Sequence, residues 1–174
     1  YDQNKFVLGL LKLFDKELVD RAVKTFCIGS AKLWTGATAF WYVDIYGQFR
    51  EVNIMLYNAE TLKRVKNNEP PHVGRTKVRK YGSTILKNKG KKNPNLKPCW
   101  FGEHLLNDHP NKPVAIVESE KTAIIMTLLG WLGYPVARTY VWLATGGGNG
   151  SQWNNLEVIE TLHGKDVVLF PDID

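Results

Sequence analysis

Cysteine and long hydrophobic runs are scarce in this sequence, and their scarcity excludes several classes of protein. Among 174 residues there are two cysteines, Cys27 and Cys99, which lie far apart and form no C-x-x-C pair. A structural zinc site usually needs four closely spaced Cys or His ligands, so we expect no zinc here. No apolar run approaches the roughly 20 residues that cross a bilayer, and the N-terminal residues lack a signal-peptide pattern. We therefore predict a cytoplasmic protein with reduced thiols and no membrane partner.

Acidic residues are nearly absent from one part of the chain. Between Lys63 and Lys97 there are twelve Lys or Arg residues and one acid, Glu69, so this segment is net +11 and the remainder is net −5. Such segregation predicts a polyanionic partner, and Tyr81 and Trp100 favour nucleic acid because bases stack on aromatic faces. A solvated basic loop is the alternative. The candidate nucleic-acid-binding residues are Lys63, Arg64, Lys66, Arg75, Lys77, Arg79, Lys80, Lys87, Lys89, Lys91 and Lys92.

Hydrophobic periodicity predicts a small α+β subdomain over residues 1–62. Apolar residues recur at helical spacing in two stretches, and aromatic and β-branched residues are then enriched in two more. Gly47 and Gln48 separate the last two stretches and indicate a hairpin turn. A basic connecting segment follows over residues 63–111. The predicted elements are helices 4–14 and 16–26, a loop 27–36, strands 39–46 and 49–57, short strands near 77–81 and 83–86, and a short helix near 100–106.

Residues 112–174 carry a different pattern, in which apolar runs alternate with helical stretches. The runs are short and continuous, as is typical of parallel strands that are buried on both faces. Strand, helix, strand, helix, strand with short links predicts a parallel α/β sheet. The predicted strands are 113–117, 141–144 and 166–170, and the predicted helices are 119–131 and 153–162.

Carboxylates follow two of these predicted strands. Glu118 comes directly after the first strand, and Asp172 and Asp174 come after the third. Active groups of open parallel sheets gather at the carboxyl ends of the strands, and Mg²⁺ prefers oxygen ligands. The pattern therefore predicts a Mg²⁺ or Mn²⁺ site formed by these three acids. Each acid alone is weak evidence, because Glu118 can also favour the start of the next helix and strand ends often carry solvated acids.

A glycine-rich loop, 145–151, is predicted at the same edge of the sheet. Its backbone N–H groups, those of Gly146 and Gly147 among them, can approach an anion closely. The loop has no Walker lysine and no G-x-G-x-x-G spacing, which excludes a P-loop or a nicotinamide site. Lys121, one turn into the preceding helix, either holds a phosphate or pairs with Glu118 or Glu120.

In order along the chain, these motifs resemble the toprim superfamily, the topoisomerase-primase domain. VAIVESEKTA (114–123) resembles its first motif, VWLATGG (141–147) its second strand and turn, and DVVLFPDID (166–174) its Asp-x-Asp motif. ATAFWYVD, IMLYNAETLKRVK and CWFGEHLL are similar to the subdomain that precedes toprim in primase-like proteins from mobile elements of Bacteroides-type bacteria. The resemblance implies an incomplete Rossmann-like toprim domain after a small α+β subdomain.

The resemblance also implies an activity and its parts. Glu118 would be the catalytic glutamate, Asp172 and Asp174 would bind Mg²⁺, and Gly146 and Gly147 would form the turn beside them. The implied function is primer synthesis from nucleotide triphosphates on a single-stranded DNA template, with a replicative helicase as a further partner. A toprim nuclease and a non-catalytic DNA-binding module are the alternatives.

Two departures from the family pattern stand out. Ser119 stands where many members have Gly. In addition, a toprim domain continues through another helix and strand, and related primases carry an upstream zinc ribbon. We therefore expect the sequence to be a fragment with little activity of its own.

Overall fold

A computed structural model of the chain describes residues 3–65, 79–80, 97–147 and 151–172. It shows a mixed α/β protein with one antiparallel sheet and one separate parallel sheet. The chain divides into two compact units, each formed by two segments. The first unit consists of Tyr1–Trp41 and Val52–Lys92, and the second of Tyr42–Glu51 and Asn93–Asp174. In this division residues Tyr42–Glu51 belong to the second unit.

Within the described residues, the antiparallel sheet has four strands, β1 Ile28–Ala31, β2 Ala37–Val43, β3 Phe49–Met55 and β4 Arg79–Lys80, in the order β1-β2-β3-β4. Asn4 caps the first helix, where its side chain accepts hydrogen bonds from the N–H groups of Phe6 and Val7. The rings of Phe6, Phe40 and Tyr57 pack together at centroid distances between 5.0 and 6.1 Å and form part of the core of the first unit. The elements are α1 Lys5–Leu10, α2 Lys16–Thr25, β1 Ile28–Ala31, β2 Ala37–Val43, β3 Phe49–Met55 and β4 Arg79–Lys80.

One strand of this sheet was not predicted. Residues 27–36 were expected to be a loop, but Ile28–Ala31 forms β1 and pairs antiparallel with β2, with Ser30 opposite Thr38. The side-chain amide of Asn4 donates to the carbonyl oxygen of Gly29 at 2.9 Å. The stretch Ile-Gly-Ser-Ala has little strand propensity of its own, and it forms a strand here because a neighbouring strand and a distant side chain satisfy its backbone groups.

The hairpin turn between β2 and β3 is organised by Asp44. Its carboxylate accepts hydrogen bonds from the N–H groups of Tyr46 and Gln48 at 2.9 and 2.8 Å, and from the Nε of Arg50 at 2.6 Å. Gly47 has a φ of 74°, a conformation that favours glycine. This part of the prediction, a hairpin turn at Gly47 and Gln48, is confirmed.

The part of the parallel sheet that the structure describes has three strands, β5 Val114–Val117, β6 Val141–Ala144 and β7 Val167–Phe170. Their order is β6-β5-β7, so the first of them along the chain is central. Ser119 caps the helix that follows β5 by accepting a hydrogen bond from the N–H of Thr122 at 3.2 Å. Among the described residues, no helix is long and apolar enough to span a membrane. The elements are α3 Leu105–Asp108, β5 Val114–Val117, α4 Glu120–Trp131, α5 Pro135–Thr139, β6 Val141–Ala144, a 3-10 helix Ser151–Asn154, α6 Leu156–Glu160 and β7 Val167–Phe170.

Two expectations for the second unit need correction, and one of its helices was not expected. The helix expected over residues 153–162 is divided into the 3-10 helix and α6, because Asn155 is extended and caps α6 by accepting from the N–H of Glu157. The helix α5 was not predicted. The third strand forms, but it is not buried, since all four residues of β7 are exposed and its outer edge has no neighbour in the described sheet.

Candidate functional site

The carboxyl edge of the parallel sheet brings the predicted site residues to neighbouring strands. Val117, the last residue of β5, is level with Ala144 of β6 and with Phe170 of β7. Glu118 therefore leaves the sheet between Thr145 on one side and Pro171 on the other. The connections run from β5 outward to β6 and then back across β5 to β7. Such a reversal of strand order opens a crevice beyond the strand ends, where open α/β sheets bind ligands.

The backbone of Glu118 is held by the loop that follows β6. Its carbonyl oxygen accepts hydrogen bonds from the N–H groups of Gly146 and Gly147 at 3.0 and 2.9 Å. The hydroxyl of Thr145, a buried residue, lies 3.2 Å from the same oxygen and 3.0 Å from the carbonyl oxygen of Gly147. Gly147 has a φ of 129°, which explains glycine at this position. The N–H groups of Gly146 and Gly147, which the sequence predicted to bind a phosphate, thus hold the turn after β5 through the Glu118 carbonyl oxygen.

The other side of Glu118 is held by the start of α4. Ser119 has a φ of −107°, an extended conformation that does not require the glycine found in many toprim members. Its hydroxyl caps the helix, so serine serves this turn without strain. The side chain of Glu118 is half-buried, whereas that of Glu120 is fully buried and accepts a hydrogen bond from the hydroxyl of Tyr42 at 2.8 Å.

The structure describes two of the remaining residues of the predicted site, Asp172 and Lys121. Asp172 is exposed two residues after β7, and Lys121 is half-buried in the first turn of α4. Asp174 lies outside the described residues. Within residues 3–65, 79–80, 97–147 and 151–172, no three His, Cys, Asp or Glu side chains are grouped as a metal site requires. The Mg²⁺ or Mn²⁺ site stays a prediction, with two of its three carboxylates at one edge of the sheet.

Comparison with known proteins gives a family but no activity. The model of the family described as Domain of unknown function (DUF6371) matches residues 4–173. The chain belongs to this family. No curated protein and no solved structure matches the chain. Because the match covers both units, the first unit and the parallel sheet are parts of the same family domain.

The basic segment is described only at a few points. Lys63 and Arg64 are exposed, and Arg79 and Lys80 form the backbone of β4, which pairs with β3. Trp100, expected to assist base stacking, is fully buried, and its indole N–H donates to the carbonyl oxygen of Val158 at 3.0 Å. That expectation was wrong, because a buried ring offers no face to a base. The other predicted nucleic-acid-binding residues, Lys66, Arg75, Lys77, Lys87, Lys89, Lys91 and Lys92, lie outside the described residues.

A buried polar cluster near the hairpin tip was missed by the sequence analysis. Glu103 is almost fully buried, and its two carboxylate oxygens accept hydrogen bonds from the N–H groups of Ile45 and Trp100, both at 3.0 Å. Burial raises the pKa of the Glu103 carboxyl, and the two amide bonds lower it in part. Cys99, four residues before Glu103, is also buried. This burial raises the pKa of the Cys99 thiol, which makes it a poor nucleophile.

Replacing Glu103 by Gln should change how stability depends on pH. The pKa of Glu103 is raised above its ordinary value of 4.5, so the native state binds this proton more tightly than the unfolded state. The contribution of the protonated carboxyl is therefore complete below pH 4.5 and is lost as pH rises through the raised pKa. In urea unfolding at a series of pH values, the stability of wild type relative to Glu103→Gln should fall towards neutral pH. A difference that rises with pH contradicts the assignment.

Proposed function

We propose that this protein is a primase-like enzyme that carries out Mg²⁺-dependent nucleotidyl transfer during DNA replication of a mobile element. The observation that supports it best is the position of Glu118 at the end of the central parallel strand, with Asp172 after the adjacent strand at the same edge. Carboxylates on neighbouring parallel strands at a reversal of strand order are suited to phosphoryl chemistry. The order of the toprim-like motifs agrees with this arrangement.

The proposed ligands have the chemistry that a hard divalent cation prefers. Glu118 and Asp172 offer carboxylate oxygens, and Asp174 adds a third in sequence. Mg²⁺ keeps several waters and is commonly held by one or two carboxylates together with substrate phosphates. These residues would hold Mg²⁺ or Mn²⁺, which supplies charge neutralisation at the phosphates of the nucleotide.

The chain's own residues have distinct parts in the proposed reaction. A nucleotide 3′-hydroxyl attacks the α-phosphorus of the incoming nucleotide triphosphate, a new P–O bond forms, and pyrophosphate leaves. Glu118 is half-buried and accepts the proton of the attacking hydroxyl or, alternatively, acts through the metal. Lys121, near the N-terminus of the 12-residue helix α4, lies where positive charge and helix polarity favour a phosphate. The single-stranded template contacts the basic segment.

A non-catalytic nucleic-acid-binding module is the second candidate. It is favoured by the segregation of charge, with twelve basic residues and one acid between Lys63 and Lys97. Such a module binds DNA with strong salt dependence and is indifferent to the acids at the sheet edge. A toprim nuclease would use water in place of the 3′-hydroxyl. Its activity would not require nucleotide triphosphates, and this distinguishes it from a primase.

Titration of Mn²⁺ into the full-length protein tests the proposed site. The Asp172→Asn/Asp174→Asn double variant should bind Mn²⁺ at least about 10- to 100-fold more weakly than wild type, since removing ligands costs no less than removing their supporting partners. Asp166→Asn is the matched control, because Asp166 is an exposed acid beside the opposite end of β7. It should bind like wild type.

The same titration can overturn the proposal. Equal and weak Mn²⁺ binding in wild type, the double variant and the Asp166→Asn control would mean that the acids are solvated strand ends. DNA binding that is steeply salt-dependent and unchanged in the double variant would then favour the binding module.

A further inference from the structure

A buried hydrogen bond links the hairpin to the turn that carries Glu118. Tyr42, near the end of β2, is 1% exposed and Glu120, the first residue of α4, is 0% exposed. The Tyr42 hydroxyl donates to Oε1 of Glu120 at 2.8 Å, across 78 positions of sequence. Both residues belong to the second unit, so the bond lies within one compact body.

Burial of a carboxylate at this place is not required to start a helix. An exposed acid in the first turn interacts equally well with the helix dipole, and Ser119 already caps α4. Taking a carboxylate out of water is costly unless hydrogen bonds compensate it. The hydrogen bond from Tyr42 gives the buried carboxylate of Glu120 such a partner and ties the start of α4 to the end of β2.

The anchored residue lies two positions beyond the predicted catalytic Glu118. On the loop side, the Glu118 carbonyl is held by the N–H groups of Gly146 and Gly147. On the helix side, the chain is held by the Ser119 cap and by the bond from Tyr42 to Glu120. The main chain of Glu118 is thus held from both directions, which restricts where its half-buried side chain can point.

We propose that Tyr42 and Glu120 are positioning residues that hold the turn of Glu118 in its reactive geometry. The inference rests on the proposed function, because only the nucleotidyl-transfer reaction makes Glu118 catalytic. The ring of Tyr42 is itself held by Phe101, with centroids 5.5 Å apart in an edge-to-face contact. Burial and the negative charge of Glu120 raise the pKa of Tyr42 well above its ordinary value, so its hydroxyl stays protonated and remains a donor.

Tyr42→Phe in the full-length protein tests the inference, because it removes the hydroxyl and keeps the ring. We expect kcat for nucleotidyl transfer to fall roughly tenfold or more, while KM for the nucleotide changes little. A roughly tenfold loss corresponds to the free energy of one lost hydrogen bond to a charged group. Glu120→Gln, which keeps an oxygen acceptor, should lose less activity than Glu120→Ala. Tyr46→Phe is the control, because Tyr46 is 82% exposed on the same hairpin, and it should match wild type.

Hydrogen exchange supplies a readout that does not depend on activity. In Tyr42→Phe the amides of Gly146 and Gly147, which donate to the Glu118 carbonyl, should exchange faster than in wild type, while the amide of Leu128 inside α4 keeps its rate. A purely structural role predicts a uniform increase at all three amides and an unchanged kcat of the folded fraction, and that result overturns the inference. If only the Gly146 and Gly147 amides exchange faster, the result supports the positioning of the turn by Tyr42 and Glu120. If wild type also transfers no nucleotide, it is the proposed function that is overturned.

Discussion

Glu118→Gln is expected to lower the rate of nucleotidyl transfer by about 10²- to 10⁴-fold, the range that a general acid or base contributes. The substitution keeps the size of the side chain and leaves the Glu118 carbonyl bonded to Gly146 and Gly147. Stability should therefore change little, since a half-buried side chain exchanges a carboxylate for an amide of the same shape. The measurement is primer synthesis by the full-length protein on single-stranded DNA, together with thermal unfolding of the same samples.

Glu157→Gln is the matched control for that experiment. Glu157 is an exposed acid on α6 whose partner is the exposed Lys97, with the two charged atoms 3.0 Å apart. An exposed ion pair contributes little to stability, so the control should keep wild-type activity and unfolding temperature. Primer synthesis that survives Glu118→Gln removes Glu118 from the reaction. An absence of primer synthesis in wild type as well leaves the nucleic-acid-binding module as the better account.

Trp100→Ala should destabilise the second unit by about 3–5 kcal/mol, the range for truncating a buried aromatic residue. Trp100 is fully buried, its ring contacts that of Trp153 with centroids 5.0 Å apart, and its indole N–H donates to the carbonyl oxygen of Val158. The substitution leaves both a cavity and a backbone acceptor without its donor. Urea unfolding followed by circular dichroism measures the change.

Two variants show whether burial is the cause. Trp153→Ala should cost less, because Trp153 is 41% exposed and loses less buried area. Trp100→Phe should lie between wild type and Trp100→Ala, since it restores most of the ring but not the indole N–H. Equal stability of Trp100→Ala and wild type contradicts the burial of Trp100 in the core.

The parts of the fold that were predicted well are those that a local pattern determines. The strands β5 and β6 are continuous apolar runs and are fully buried, as the sequence indicates. The helix α4 spans Glu120–Trp131, close to the predicted bounds of 119–131. Such segments are recognisable in the sequence, because the residues that determine them lie within a few positions of one another.

The parts that were missed depend on partners distant in the sequence. The strand β1 has no apolar alternation and forms because β2 and Asn4 satisfy its backbone. Trp100 and Tyr81 looked alike in sequence as aromatic neighbours of a basic segment, yet Trp100 is buried by packing against residues more than 50 positions away, such as Val158. No local pattern distinguishes a core tryptophan from one that stacks on a base.

The sequence by itself determined which acids follow the parallel strands, and with them the edge of the sheet at which Glu118 and Asp172 emerge. This follows because short parallel strands are recognisable as apolar runs and their carboxyl ends meet at one edge. Only the tertiary structure decided that Glu118 stays half-buried while Glu120 is withdrawn into the core and bound by Tyr42. The two glutamates are two residues apart and chemically identical, but their side chains differ in burial and in hydrogen bonding. The physical reason is that packing brings Tyr42, 78 positions away in the chain, to Glu120.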